Sequence, residues 1–140
     1  MIVLDTNVLS ETMKPAPAAE VLHWLAGQPA ARIFTTSISQ AEILYGLELL
    51  PRGKRRAALQ SAVEAMFEED FAGRILPFDA DAARLFPRIA ASRRAAGRPI
   101  AQADAQIAAI ARSRGASLAT RNTGDFESCG VTLLNPWQVR

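Results

Sequence analysis

The sequence predicts an α/β fold: a mostly parallel sheet with helices on both faces. Three observations carry that expectation. Short apolar or β-branched runs alternate with longer helix-like segments, the order that builds parallel sheets. Proline and glycine fall between the segments and punctuate them. No internal repeat, linker or low-complexity tract divides the chain, so residues 1–140 read as a single domain long enough to bury a real core.

Ile2–Leu4 is a short apolar run ending at Asp5, expected to be a buried strand. Thr6–Met13 reads as a helix. Pro15 and Pro17 interrupt the chain, and a second helix follows with Val21, Leu22 and Leu25 as its buried stripe. Gly27 and Pro29 end it. Arg32–Thr36 is rich in β-branched and aromatic residues and reads as the next strand. Ser37 followed by Gln40 fits a capping box, with a helix running to Leu50 before Pro51. Arg52–Arg56 opens another helix that continues to about Glu69. Ile75–Phe78 is a short strand with Pro77 near its edge. Asp79 or Asp81 starts a helix that ends near Gly97. A further helix spans about Ala101 to Arg114, with Gly115 as its C′ residue. Ser117–Thr120 and Val131–Leu134 are the last two strands.

Hydrophobic residues make up 49% and charged residues 21%, which excludes a disordered chain. The net charge is only +2, but the arginines cluster. A single cysteine, Cys129, excludes an intramolecular disulfide and suits a reducing compartment. The start of the chain has no basic stretch followed by an apolar core, so no signal peptide is expected. The apolar runs are too short to span a membrane, and the expected location is cytoplasmic.

Three carboxylates sit where folding alone would not put them. Asp5 is the only charged residue in MIVLDTNVLS, Glu42 the only one in IFTTSISQAEILYGL, and Asp104 the only one in PIAQADAQIAAIA. An acid inside an apolar run is costly to bury unless its charge is compensated. Sites in such folds form outside the carboxyl ends of the strands. Asp5 ends the first strand, Glu42 lies in the first turns of the helix after the second, and Asp125 follows the strand Ser117–Thr120. Asp104 shares a helix face with Ile100, Ile107 and Ala111, so it points inward. Each acid also has a purely structural alternative. Asp5 can cap the helix beginning at Thr6, and Glu42 can complete a capping box with Ser39. Asp104 can pair with Arg121 in a buried salt bridge. Asp125 can be a plain turn residue after Gly124.

Clustered hard oxygen ligands with open water positions suit Mg²⁺ or Mn²⁺. Such ions activate water and stabilise the leaving oxygen at phosphorus. With one Cys and one His, His23, zinc is not expected. A Ser–His–Asp triad is discounted because His23 lies between Leu22 and Trp24 with no nucleophile elbow. No glycine-rich phosphate loop is present.

The segments MIVLDTNVLSE, SISQAEILYGL, GRILPFD, IAQADAQIAAIA, LATRNTGDF and NPW, in that order, closely resemble the PIN-domain ribonuclease toxins of the VapC type, in particular the FitB-like members. The resemblance covers essentially the whole chain. It implies a three-layer α/β sandwich and a metal-dependent endoribonuclease, the toxin of a type II toxin–antitoxin pair. It implies metal coordination by Asp5, Glu42 and Asp104, with hydrogen-bond support from Thr6 or Asn7 and from Thr120. The fourth acid falls in the FitB-like pattern where this chain has Asn122, and in many other members where it has Asp125, so Asp125 is the expected fourth ligand. The resemblance further implies a homodimer, a groove for an antitoxin segment, and DNA contact only through the antitoxin.

Arg52, Lys54, Arg55 and Arg56 form one basic cluster, Arg88, Arg93, Arg94 and Arg98 a second, and Arg112, Arg114 and Arg121 a third. Each reads either as a solvated helix face or as a hold on a nucleic-acid backbone. Leu44, Leu47 and Leu50 with Phe67 and Phe71 exceed what one small core obviously requires. Two other functions compete. One is a non-catalytic interaction protein working in a DNA-binding antitoxin complex. The other is a phosphohydrolase of the haloacid-dehalogenase type, which wants a second Asp where this chain has Asn7.

Overall fold

The computed structural model describes residues 1–138; positions 139 and 140, the end of the expected domain, lie outside the described residues. Five strands form one sheet: β1 (Ile2–Leu4), β2 (Ile33–Thr36), β3 (Ile75–Leu76), β4 (Ser117–Ala119) and β5 (Leu133–Leu134). Their spatial order is β3-β2-β1-β4-β5, and every pairing is parallel. The six helices are α1 (Thr6–Thr12), α2 (Ala19–Ala26), α3 (Ser37–Glu48), α4 (Lys54–Ala65), α5 (Ala80–Ala95) and α6 (Gln102–Ser113).

Alternation along β1 splits the core in two. Ile2 and Leu4 join the cluster of Val8, Leu9, Val21, Trp24, Ile43, Leu47 and Val63, which packs α1 to α4 on one face. Val3 joins Leu118, Ile89, Ile107 and Ile110, which pack α5 and α6 on the other. A one-residue slip of β1 would exchange these sets, so both faces hold the register. Ala105, Ala108, Ala109 and Ala111 are fully buried on α6; their small side chains let that helix sit close to its neighbours.

The chain runs outward from β1 through β2 to β3, then crosses to β4 on the other side of β1. The sheet order therefore reverses between β1 and β4. Their carboxyl ends open the crevice in which such sheets hold ligands.

Several local expectations are corrected. Thr36, not Ser37, caps α3: its hydroxyl accepts the Ser39 amide at 3.1 Å. The buried residues of α2 are Val21 and Trp24, while Leu22 is 43% exposed. Spacing by three, not by one, keeps side chains on one helix face. The helix expected to reach Glu69 changes to a π turn over Met66–Asp70, and Ile75–Phe78 forms a strand only at Ile75–Leu76. Leu47, Phe67 and Phe71 belong to the core, whereas Leu44 and Leu49 are exposed.

The second basic cluster loses one member to the interior, while Arg88, Arg94 and Arg98 stay exposed. Arg93 is buried, and its Nε donates to the Arg98 carbonyl at 2.7 Å. Its Nη1 donates to the carbonyls of Asp125 and Glu127, each at 2.9 Å. One guanidinium thus pins α5 to the segment after β4. Replacing Arg93 by Met leaves those carbonyls without their charged donor and should cost at least about 2 kcal/mol of stability. Chemical denaturation measures the loss, and amide exchange over residues 123–129 should accelerate. A variant as stable and as protected as the parent would show that water replaces the guanidinium without cost.

Candidate active site

Asp5 follows β1 directly. Its amide donates to the Ala119 carbonyl at 2.9 Å, extending the β1–β4 pairing by one step. One carboxylate oxygen accepts the Thr6 amide and the other the Thr120 hydroxyl, both at 2.8 Å. Asp5 is therefore the N-cap of α1 and a member of the acidic group at once. Thr120, the residue after β4, is fully buried. Its Oγ1 accepts the Asn7 side-chain amide at 3.2 Å and the Asn122 backbone amide at 3.1 Å. With both lone pairs occupied by donors, its one hydrogen must go to Asp5. The Asn7 carbonyl oxygen accepts the Arg121 amide at 3.3 Å, which fixes the orientation of that amide side chain.

Glu42 projects from the second turn of α3. Its carboxylate accepts the Thr6 hydroxyl at 2.9 Å. Thr6 Oγ1 also lies 2.9 Å from Ser39 Oγ. A carboxylate can only accept, so the Thr6 hydrogen goes to Glu42 and Ser39 donates to Thr6. The capping alternative for Glu42 is not formed, since Thr36 caps α3.

Asp104 is the third residue of α6 and is half-buried. The alternative ion pair with Arg121 is not formed, and no described side chain pairs with its carboxylate. Burial pushes the Asp104 carboxyl up to about 6, with the charges of Asp5, Asp125 and Glu42 acting in the same direction. Burial also holds Asp5 above the usual carboxylate range, against its bonds from Thr120 and Thr6.

Asp5, Glu42 and Asp104 line one open cavity of about 400 Å³ with Thr6, Asn7 and Asn122. Asp125 is exposed on the short 3₁₀ turn Thr123–Phe126. It lies outside that lining, but its charge reaches Asp5 and Asp104. Among the described residues no three acidic, His or Cys side chains already form a ready ligand set. His23 is exposed on α2 and does not line the cavity.

Four further lining residues were not expected from the sequence: Ser10, Glu11, Lys14 and Trp137. Glu11 is a buried acid, but both its oxygens are used, by Lys14 Nζ and the Ala18 amide, each at 2.9 Å. The Lys14 bond holds its carboxyl below the usual range. A helical signal existed, since Ser10 and Glu11 follow Asn7 by three and four residues and share its face.

The raised carboxyls set a pH dependence. A folded-state value near 6 for Asp104, above the ordinary 3.8, means the folded protein holds more protons between about pH 4 and 6. Stability of the metal-free protein should therefore fall as pH rises through that window. Asp104→Asn removes this contribution, so its melting temperature should exceed the parent's at pH 7 and converge with it at pH 4. Thermal melts in a chelator measure both; parallel curves at the two pH values would show that the Asp104 carboxyl is not raised in the folded protein.

A family model, described as PIN domain, matches residues 2–130. A VapC ribonuclease of Sinorhizobium fredii is 42% identical over 138 residues, covering 99% of each chain. The toxin FitB of Neisseria gonorrhoeae is 39% identical over 137 residues, covering 98% of this chain and 99% of its own. The solved structure of FitAB bound to a DNA fragment superposes with a TM-score of 0.94 at 38% identity, covering 100% of this chain and 98% of that one. With a matched model spanning nearly all of it, and with relatives alike from end to end, the chain belongs to the PIN-domain family.

Proposed function

We propose that this chain is a Mg²⁺- or Mn²⁺-dependent endoribonuclease, the toxin of a type II toxin–antitoxin pair. One observation carries the reading: carboxylates from β1, α3 and α6 converge on one cavity, and Asp104 meets other acids there but no pairing cation. The donor set fits a hard divalent ion. Asp104 has both oxygens unengaged by the described residues, and Glu42 accepts a single hydrogen bond. In this reading Asp5, Glu42, Asp104 and Asp125 hold the metal, with Thr6, Asn7, Thr120 and Asn122 supporting them. When bound, such an ion acidifies water and stabilises charge developing on a phosphoryl group.

The chain's own groups set the geometry. Thr120 and the Thr6 amide hold Asp5 in one rotamer, and the Thr6 hydroxyl orients Glu42. Hydrolysis forms a bond from water oxygen to phosphorus and breaks the bond to the leaving ribose oxygen, which takes up a proton.

The VapC ribonuclease relative and the FitAB complex support an antitoxin partner. A second cavity of about 590 Å³ runs between α1, α3 and α4. It is floored by Met13, Ile43, Leu47, Leu59 and Val63 and opens onto Thr6 and Glu42. An antitoxin segment lying there would close the active site, and DNA would be contacted through the antitoxin alone. Leu44, Tyr45 and Leu49, exposed along α3, supply an apolar face for a homodimer. No helix among the described residues is long and apolar enough to cross a membrane. We place the protein, as one domain, in the cytoplasm.

RNA cleavage that needs Mg²⁺ or Mn²⁺ and stops with chelator is the direct test; no cleavage with either metal would leave the interaction-protein reading. Asp104→Asn should lower cleavage on the order of 100-fold or more, the effect of losing one electrostatic stabiliser of a transition state. Growth inhibition should vanish with it while the fold persists by circular dichroism. Parent-like cleavage would remove Asp104 from the metal site. The fourth position has its own test. Asp125→Asn should raise the metal concentration needed for half-maximal activity far more than Asn122→Ala does. The reverse order would assign the position to Asn122 and make Asp125 a turn residue.

A further inference from the structure

Of the described basic residues, only Lys14 and Arg121 line the cavity above the acids. Lys14 is committed to Glu11 at 2.9 Å. Arg121 is different. Its guanidinium carbon lies 5.1 Å from the centroid of the Trp137 ring. Among the described residues, no carboxylate or carbonyl accepts a hydrogen bond from that guanidinium. An aromatic face holds a guanidinium through its plane, which leaves the five N–H donors on its edge unspent.

The pair is also tied together through the backbone. Asn135 Oδ1 accepts the Trp137 amide at 2.9 Å, and its Nδ2 donates to the Arg121 carbonyl at 3.4 Å. The Arg121 amide is held in turn by Asn7, beside Thr120 and Asp5. Trp137 is itself partly buried and packs against the core cluster that holds Val8, Leu9 and Val21. The charge of Arg121 is felt at Glu11, further along the cavity wall. A cation has thus been fixed at the rim of an acidic site without being neutralised.

We propose that Arg121, backed by Trp137, anchors a phosphate of a single-stranded RNA next to the phosphate being cut. This rests on the nuclease reading and goes beyond it by naming the residue that holds the strand. Acids alone would repel the flanking phosphates. A cation beside them draws the strand in and sets its register, while its edge donors match phosphate oxygens in pairs.

The test uses the full chain. Binding of a single-stranded oligoribonucleotide to Asp104→Asn in Mg²⁺ is measured against NaCl, alone and with Arg121→Gln added. Loss of one phosphate contact should flatten the log Kd against log salt slope by about 0.7. Affinity should fall about tenfold, the change expected for one charge-assisted bond. In the cleaving enzyme, Arg121→Gln should raise KM about tenfold and change kcat less than about threefold, since the contact is made in ground and transition states alike. Arg121→Lys should restore the salt slope. Trp137 offers a second readout: Trp24 is 7% exposed in the core, so quenching on RNA addition reports the rim. An unchanged slope, or a collapse of kcat at constant KM, would overturn the anchor. If the parent cleaves no RNA, the nuclease reading fails, and the salt slope still decides whether Arg121 holds a phosphate.

Discussion

Three hydrogen bonds on one hydroxyl hold the active site together. Thr120 gives its hydrogen to Asp5 and receives Asn7 and Asn122, so it ties the end of β1, the first turn of α1 and the segment after β4. These elements meet where the sheet order reverses. A buried hydroxyl with every valence used is a rigid joint. Asp5 must stand in one orientation, and through the Thr6 amide and hydroxyl so must α1 and Glu42.

The chain handles its buried charges in two opposite ways. Glu11 and Asp5 both border α1 and both are buried. Glu11 is given a lysine and a backbone amide, and its carboxyl is held low. Asp5 is given only a hydroxyl and an amide, and burial, with neighbouring acids acting in the same direction, holds its carboxyl high against them. Arg93 follows the first rule, spending its donors on carbonyls. Asp104 follows the second. Buried charge left uncompensated in one place and compensated elsewhere is the physical mark of a functional site.

The alternation of elements was legible because Pro15, Pro17, Pro29, Pro51, Gly97 and Gly115 mark the turns. The acids stood out because their apolar surroundings made them expensive. Exchanges between hydroxyls were harder to read. Thr36, Ser37 and Ser39 are all competent caps, and only tertiary packing selects Thr36. Glu11 with Lys14 looks like an ordinary surface pair until the bend at Pro15 and Pro17 brings the Ala18 amide round to it. Arg93 was unreadable as a buried clamp, since two of its partners lie 32 and 34 residues away and are carbonyls, which every residue possesses.

The same limit explains the arginine clusters. Neighbours in sequence read either as solvated helix faces or as a hold on a nucleic-acid backbone, and several of them are instead tied to partners elsewhere in the chain. Arg56 pairs with Glu48, Arg98 with Glu127 and Arg114 with Asp79. A charge already paired adds little to the field that draws a polyanion, because its partner cancels it within a Debye length. What matters at an acidic site is the cation that stays unpaired and close. Arg121 meets both conditions because an aromatic ring holds it in place of a carboxylate. An acidic site that must accept a polyanion needs such a residue, and stacking on Trp137 supplies it without spending the charge.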